Sequence, residues 1–266
     1  MMHHPFARSA FGLVPVLTLA LGPLPAAERP QAAASFAAPI EAAQGRAAWY
    51  AAKALQARLS LSFGGRPALA GKILFRTDLG ASRLELEDGT VAVFDGTSAW
   101  VSPASSPLKQ ARFHLLTWPY FLALPMKLRD PGTRLQALGE RRLRGRSYAA
   151  ARLTFEAGTG DTPDDWYVLY RDPSSGRLAA AAYVVTYGKD AATAAKEPHA
   201  ITYDDHVAID GVQIARTWTF WHWSEARGIE GEPIGSGKLS ELGFVQPGPE
   251  AFVRPPDAKE DELPKR

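Results

Sequence analysis

The chain has 266 residues, 46% of them hydrophobic, with 30 basic against 28 acidic side chains and no cysteine. That is enough apolar material for one large domain with its own core. The near-balanced charge argues against a nucleic-acid binder, and the lack of cysteine excludes disulfides, thiolate metal sites, a cysteine nucleophile and a lipidated N-terminal cysteine.

The first stretch, MMHHPFARSAFG, carries Arg8 and no acid. LVPVLTLALGPL (13–24) is a short apolar run, and PAAERPQAAAS supplies small residues after it. This is the layout of a secretory signal peptide, with cleavage expected after Ala27 or Ala34. The run is too short to span a bilayer, and Pro15 and Pro23 interrupt it. His3 and His4 fall in the removable part and are not read as metal ligands. Residues 1–34 are expected to be leader, and the mature product to reside in a periplasm.

From Ile40 to Leu55 the chain is alanine-rich, with Ile40, Ala43, Ala47, Ala51, Ala54 and Leu55 near one side of a helical wheel, so a helix is predicted there. Leu59, Leu61 and Phe63 then alternate with Arg58, Ser60 and Ser62, which is strand spacing. Strand signals recur at Leu84–Leu86, Leu153–Phe155, Leu178–Tyr187 and Val212–Trp223. Asp88-Gly89, Asp95-Gly96 and Asp210-Gly211 supply the positive φ angles that tight hairpins need. The spacing predicts roughly ten or eleven strands, joined mostly by short turns and hence antiparallel. Val212–Trp223 is apolar on both faces, which requires cover on each.

One segment breaks the rhythm. FHLLTWPYFLALPMKLRDPG (113–132) is strongly apolar and holds Pro119, Pro125 and Pro131. It is predicted to form one or two short helices over the open side of the sheet, with Pro119 opening the second. The plainer alternative is that it is simply core. The main domain is expected to run over residues 35–253, and the charged, Pro-rich tail 254–266 is predicted to be disordered.

Candidate chemistry is sparse. TGDTPDDWYVLYRD (159–172) holds Asp161, Asp164, Asp165 and Asp172. Its spacing is not that of an EF-hand loop. It reads better as a turn in which Asp161 and Asp164 bond local backbone, delivering a strand that alternates Trp166, Val168 and Tyr170. Asp204, Asp205 and His206 invite a base–orienter reading, so a hydrolase using Asp164, Asp165 or His206 stays open beside the reading of solvated turns. GEPIGSGK lacks the spacing of a phosphate loop, and the chain has no G-x-S-x-G elbow. The cluster Arg134, Arg141, Arg142, Arg144 and Arg146 reads as a solvated hairpin or as a surface for anionic head groups or an acidic partner. No metal, cofactor or catalytic set is assigned.

VFDGTSAW, WPYFLALPMKLRDPG and GTGDTPDDWYVLYRDP resemble a family of exported bacterial proteins with a LolA-like fold. The likeness extends over about Glu41 to Pro255. The wider superfamily includes periplasmic lipoprotein carriers, LppX-like lipid carriers and RseB-type stress sensors. The resemblance implies a mainly β (α+β) chain, a curved antiparallel half-barrel wrapped around or lidded by a few helices. It implies binding of a lipid or lipoprotein acyl chain, or else a sensor that docks to an envelope protein; with no catalytic motif recognised, the chain is expected to be non-enzymatic, and a monomer. By segment, Trp118, Tyr120, Phe121, Leu122, Leu124 and Met126 would form the lid, and Trp166, Tyr183, Trp218 and Phe220 would line the cavity.

Overall fold

The structure, a computed structural model, describes residues 28–264. The expected signal peptide lies outside the described residues, except for the alternative junction at Ala34, which falls within a helix. That helix, α1 (Glu28–Gln44), is followed by α2 (Arg46–Ala51), in place of the single helix expected from Ile40 to Leu55. Gly45 divides them. Its φ is +82°, and a Cβ there would stand 2.1 Å from the Gly211 carbonyl oxygen, so only glycine fits. Leu55 is already strand: β1 (Ala54–Phe63) buries Leu55, Ala57, Leu59 and Leu61 in alternation. The period of two thus begins one turn earlier than the alanine content implies.

β1 leads into β2 (Arg66–Arg76), β3 (Ser82–Leu86), β4 (Val91–Phe94) and β5 (Ala99–Ser102). Helix α3 (Ala111–Ala123) follows and tightens into a 3-10 turn at Leu124–Met126. A second meander comprises β6 (Thr133–Leu143), β7 (Arg146–Phe155), β8 (Tyr167–Arg171) and β9 (Leu178–Tyr183). It continues through the short α4 (Ala191–Ala194) to β10 (His199–Ile209), β11 (Val212–Ser224) and β12 (Gly228–Val245). A two-residue strand, β13 (Lys259–Glu260), ends the described chain. All pair antiparallel in one unclosed sheet of thirteen strands, ordered β13-β5-β4-β3-β2-β1-β12-β11-β10-β9-β8-β7-β6. The two meanders are welded where β1 lies beside β12, with Leu59 opposite Leu239.

The mainly-β, half-barrel expectation holds, with thirteen strands instead of ten or eleven; β4, β5 and β13 are too short to show a period. Part of the tail expected to be disordered pairs with the sheet instead. Lys259 and Glu260 pair with Val101 and Trp100, and the Asp261 N–H donates to the Ala99 carbonyl at 2.8 Å. An unpaired sheet edge offers backbone groups that any sequence can satisfy, which composition does not register.

The curvature follows from what α3 touches. The Ser82 side chain of β3 meets α3 on one side, and Tyr120 of α3 lies 5.6 Å from the Tyr167 ring of β8 on the other. In a flat sheet β3 and β8 would be about 34 Å apart, well beyond a helix of 10–12 Å diameter. The sheet therefore bends around the helix. Its helix-covered face carries the main core, including Trp49, Phe75, Trp218 and Phe220, all nearly or fully buried. The opposite face carries a second cluster with Tyr148, Val168, Tyr170, Trp221 and Trp223. There the tip of the β6–β7 hairpin reaches the β11–β12 hairpin: Arg141 pairs with Glu225 at 2.9 Å, and Leu143 meets Gly228. A twist of roughly 20–25° per strand lets the long ends cross in this way.

Candidate functional site: a cavity beneath helix α3

Helix α3 runs unbroken through Pro119, where the sequence suggested a second helix would start. A proline in a helix leaves the carbonyl four residues back without its amide partner. For Pro119 that carbonyl is Leu115, and the Ser82 hydroxyl donates to it at 2.7 Å, fully buried. For Pro125 it is Phe121, and the Tyr203 hydroxyl donates to that oxygen at 3.0 Å. Each proline frees an acceptor that a sheet side chain takes up. The helix is thereby docked to β3 and β10 by the residues that would otherwise break it.

Between α3 and the sheet lies a cavity of about 300 Å³. Phe113, Leu116, Tyr120 and Phe121 wall it from the helix, and Phe155, Tyr167, Val185 and Tyr187 from the sheet side. The wall is predominantly apolar, as a pocket for a hydrocarbon requires. The Tyr120 hydroxyl is shielded from solvent and has no hydrogen-bond partner among the described residues. Burial also raises the pKa of Tyr120, so it stays a neutral phenol.

The rim is the aspartate-rich loop. Asp161 receives two bonds from the Arg112 guanidinium, at 2.6 and 2.9 Å. Arg112 also donates to the Thr97 carbonyl, and its amide to the Asp261 carboxylate. One arginine therefore joins the start of α3, the loop and the segment just past β13. Asp165 accepts from the Thr186 amide and hydroxyl, both at 2.7 Å, and from Thr162 at 2.8 Å. The loop is a turn, as expected, closed by Asp165 N–H to Thr162 C=O at 3.0 Å. Its carboxylates nevertheless reach across the fold more than along the local backbone. No group of three or more His, Asp or Glu placed to hold a metal occurs among the described residues.

The expected site residues separate into three groups. Tyr120 and Phe121 line the cavity. Trp118, Leu122, Leu124, Met126, Tyr183, Trp218 and Phe220 share the helix-covered side but are packed in the core beneath: Phe121 lies 4.9 Å from Tyr183 and Trp118 lies 6.3 Å from Phe220. Trp166 is on the other face, 6.0 Å from Trp223 with Arg152 over its ring. The alternation Trp166, Val168, Tyr170 is real, but the cavity takes the interleaved residue Tyr167. Both sets are aromatic and apolar, so the period alone does not say which set faces the helix. Phe113, Leu116 and Tyr120 were legible in principle, since they recur at helical spacing on one face of α3.

The hydrolase reading required Asp164 or Asp165 to meet His206. Asp165 sits at the rim of this cavity, whereas His206 opens onto a different one on the opposite face. His114, inside α3, is pushed down to a pKa of about 4 by burial and accepts a bond from the Trp118 indole at 3.0 Å. It is a neutral packing group.

Comparison with known proteins places the fold. A model of a family of unknown function, DUF6503, matches residues 109–206. No curated protein matches the sequence. Among solved structures, a LolA superfamily protein from Nitrosomonas europaea is similar over 84% of this chain and 97% of its own, with 11% identity and a TM-score of 0.54. A DUF1329 family protein from Desulfovibrio piger is similar over 84% and 96%, with 12% identity and a TM-score of 0.51. The architecture is thus that of a LolA-like half-barrel, and no described helix is long and apolar enough to cross a membrane.

Proposed function

We propose that this chain is a non-enzymatic binding protein for an apolar ligand, an acyl chain of a lipid or lipoprotein, held between α3 and the curved sheet. The observation that carries the reading is the apolar cavity beneath a helix docked by only a few polar contacts. The signal-peptide layout of the leader supports export to the periplasm, as a single domain. At about 0.8 kcal/mol per methylene, burying about eight methylenes contributes roughly 6 kcal/mol, equivalent to a Kd of tens of micromolar before ordering costs. The cavity is at the small end of ligand pockets, so a longer chain is admitted by outward movement of α3, with release of the Arg112–Asp161 pair.

The test is native mass spectrometry of the mature protein purified without detergent, alongside a Leu116→Trp variant that fills the cavity. An added mass that extracts into organic solvent from the parent, and is lost from the variant at unchanged thermal stability, is the expected result. A clean mass in the parent together with no binding of a fluorescent fatty acid overturns the reading.

A further inference from the structure

The opposite face of the sheet holds a second cavity, of about 480 Å³ and of contrasting chemistry. The β6–β7 hairpin overhangs it with Arg144 and Arg146, the β8–β9 turn contributes Arg177, and β10 contributes His206. Tyr148 and Trp221 form its apolar walls. The Arg177 Nε and His206 Nε2 atoms are both shielded from solvent and lack a hydrogen-bond partner among the described residues. Two unpaired polar nitrogens on residues that line one cavity are costly unless something partners them. Burial, and then the Arg177 charge, lower the pKa of His206, so its imidazole is neutral and offers Nε2–H when Nδ1 is the unprotonated nitrogen.

Two of the arginines lie over aromatic faces of the cavity wall. Arg144 lies over the Trp221 ring at 4.4 Å and Arg146 over Tyr148 at 5.5 Å. Two acids also line the cavity. Asp172 is engaged by Arg146 at 3.2 Å and by the Ser174 and Ser175 amides of its own turn, and Asp204 faces solvent. Three guanidiniums against two carboxylates leave the site cationic.

We propose that this cavity is a binding site for a phosphate monoester. On binding, the Arg177 and His206 side chains turn Nε and Nε2 onto the phosphoryl oxygens, Arg144 and Arg146 close over them, and Tyr148 and Trp221 contact the organic part. The guanidinium fork suits a phosphoryl group, and the aromatic walls give such a ligand an advantage over bare phosphate. The basic hairpin thereby has a purpose that its composition alone left open.

The experiment is calorimetric titration of the mature protein with phenyl phosphate and with inorganic phosphate. A parallel flotation assay uses phosphatidylcholine vesicles with and without phosphatidic acid. The expected result is saturable binding of phenyl phosphate, tighter than inorganic phosphate and weakened at least about tenfold in Arg177→Gln and in His206→Phe. Arg134→Gln, an exposed arginine outside the cavity, is expected to bind as the parent does. Two variants, one in the β8–β9 turn and one on β10, keep the result readable if one of them fails to fold. Flotation only with phosphatidic acid, and lost in the same variants, supports the site with a lipid headgroup as the phosphate source. Absence of binding in both assays, or binding unaffected by either variant, overturns the proposal.

Discussion

Replacing Tyr120 by phenylalanine is the most direct probe of the cavity beneath α3. The Tyr120 hydroxyl is buried without a partner among the described residues, while its ring stays packed against Phe155 and Tyr167. Removing it keeps those ring contacts and deletes a desolvated polar group, whose burial costs about 1–3 kcal/mol. Tyr120→Phe is therefore expected to stabilise the ligand-free protein by about 1–2 kcal/mol. For a chain of this size that is roughly 2–8 °C in Tm. Urea unfolding of delipidated protein should show a higher midpoint at an unchanged m-value. A destabilised ligand-free variant would show that the hydroxyl is already satisfied, and would refute the reasoning.

Pro119 and Ser82 are expected to be coupled. Ser82→Ala leaves the Leu115 carbonyl unsatisfied and should cost about 1–3 kcal/mol, but less in a Pro119→Ala background, where a restored amide bonds that carbonyl; additive unfolding energies in the double-mutant cycle would count against the docking scheme. Gly45→Ala should cost about 2–4 kcal/mol, combining overpacking against the Gly211 carbonyl with a left-handed backbone penalty; a change under about 0.5 kcal/mol in the unfolding midpoint would contradict it. Asp172 is held at a pKa of about 2, chiefly by the Ser174 hydroxyl, with help from the Ser174 and Ser175 amides and Arg146. A depressed carboxylate adds stability that is present above its unfolded pKa and lost as pH falls through the folded one. Asp172→Asn should therefore lose less Tm than the parent between pH 4 and pH 2, and parallel melting curves in that window would refute the assignment.

Much of this protein is legible without coordinates. Alternation at Leu59–Phe63 and Val212–Trp223, and the Asp-Gly turns, define hairpins because side-chain direction in a strand is a local property. Gly45 is different: nothing near it in the chain announces a break, since the atom that forbids a side chain belongs to Gly211, far along the sequence. Pro119 misleads for the same reason. Judged locally it opens a second helix, but Ser82 supplies from another strand the hydrogen bond that lets one helix run through it. The pairing of the tail is invisible in its composition because edge pairing depends on backbone.

The sequence by itself determined the antiparallel strand content, the apolar helix laid over the sheet and the turn nature of the aspartate-rich loop, all of which follow from period and local geometry. Only the tertiary structure decided which aromatic set faces that helix. Trp166 and Tyr167 are adjacent in sequence where β8 begins, equally apolar, and point to opposite faces of a sheet that is covered on both. It also decided that Asp165 and His206 serve different cavities, because those positions are brought together or kept apart by the curvature of thirteen strands and not by their spacing along the chain.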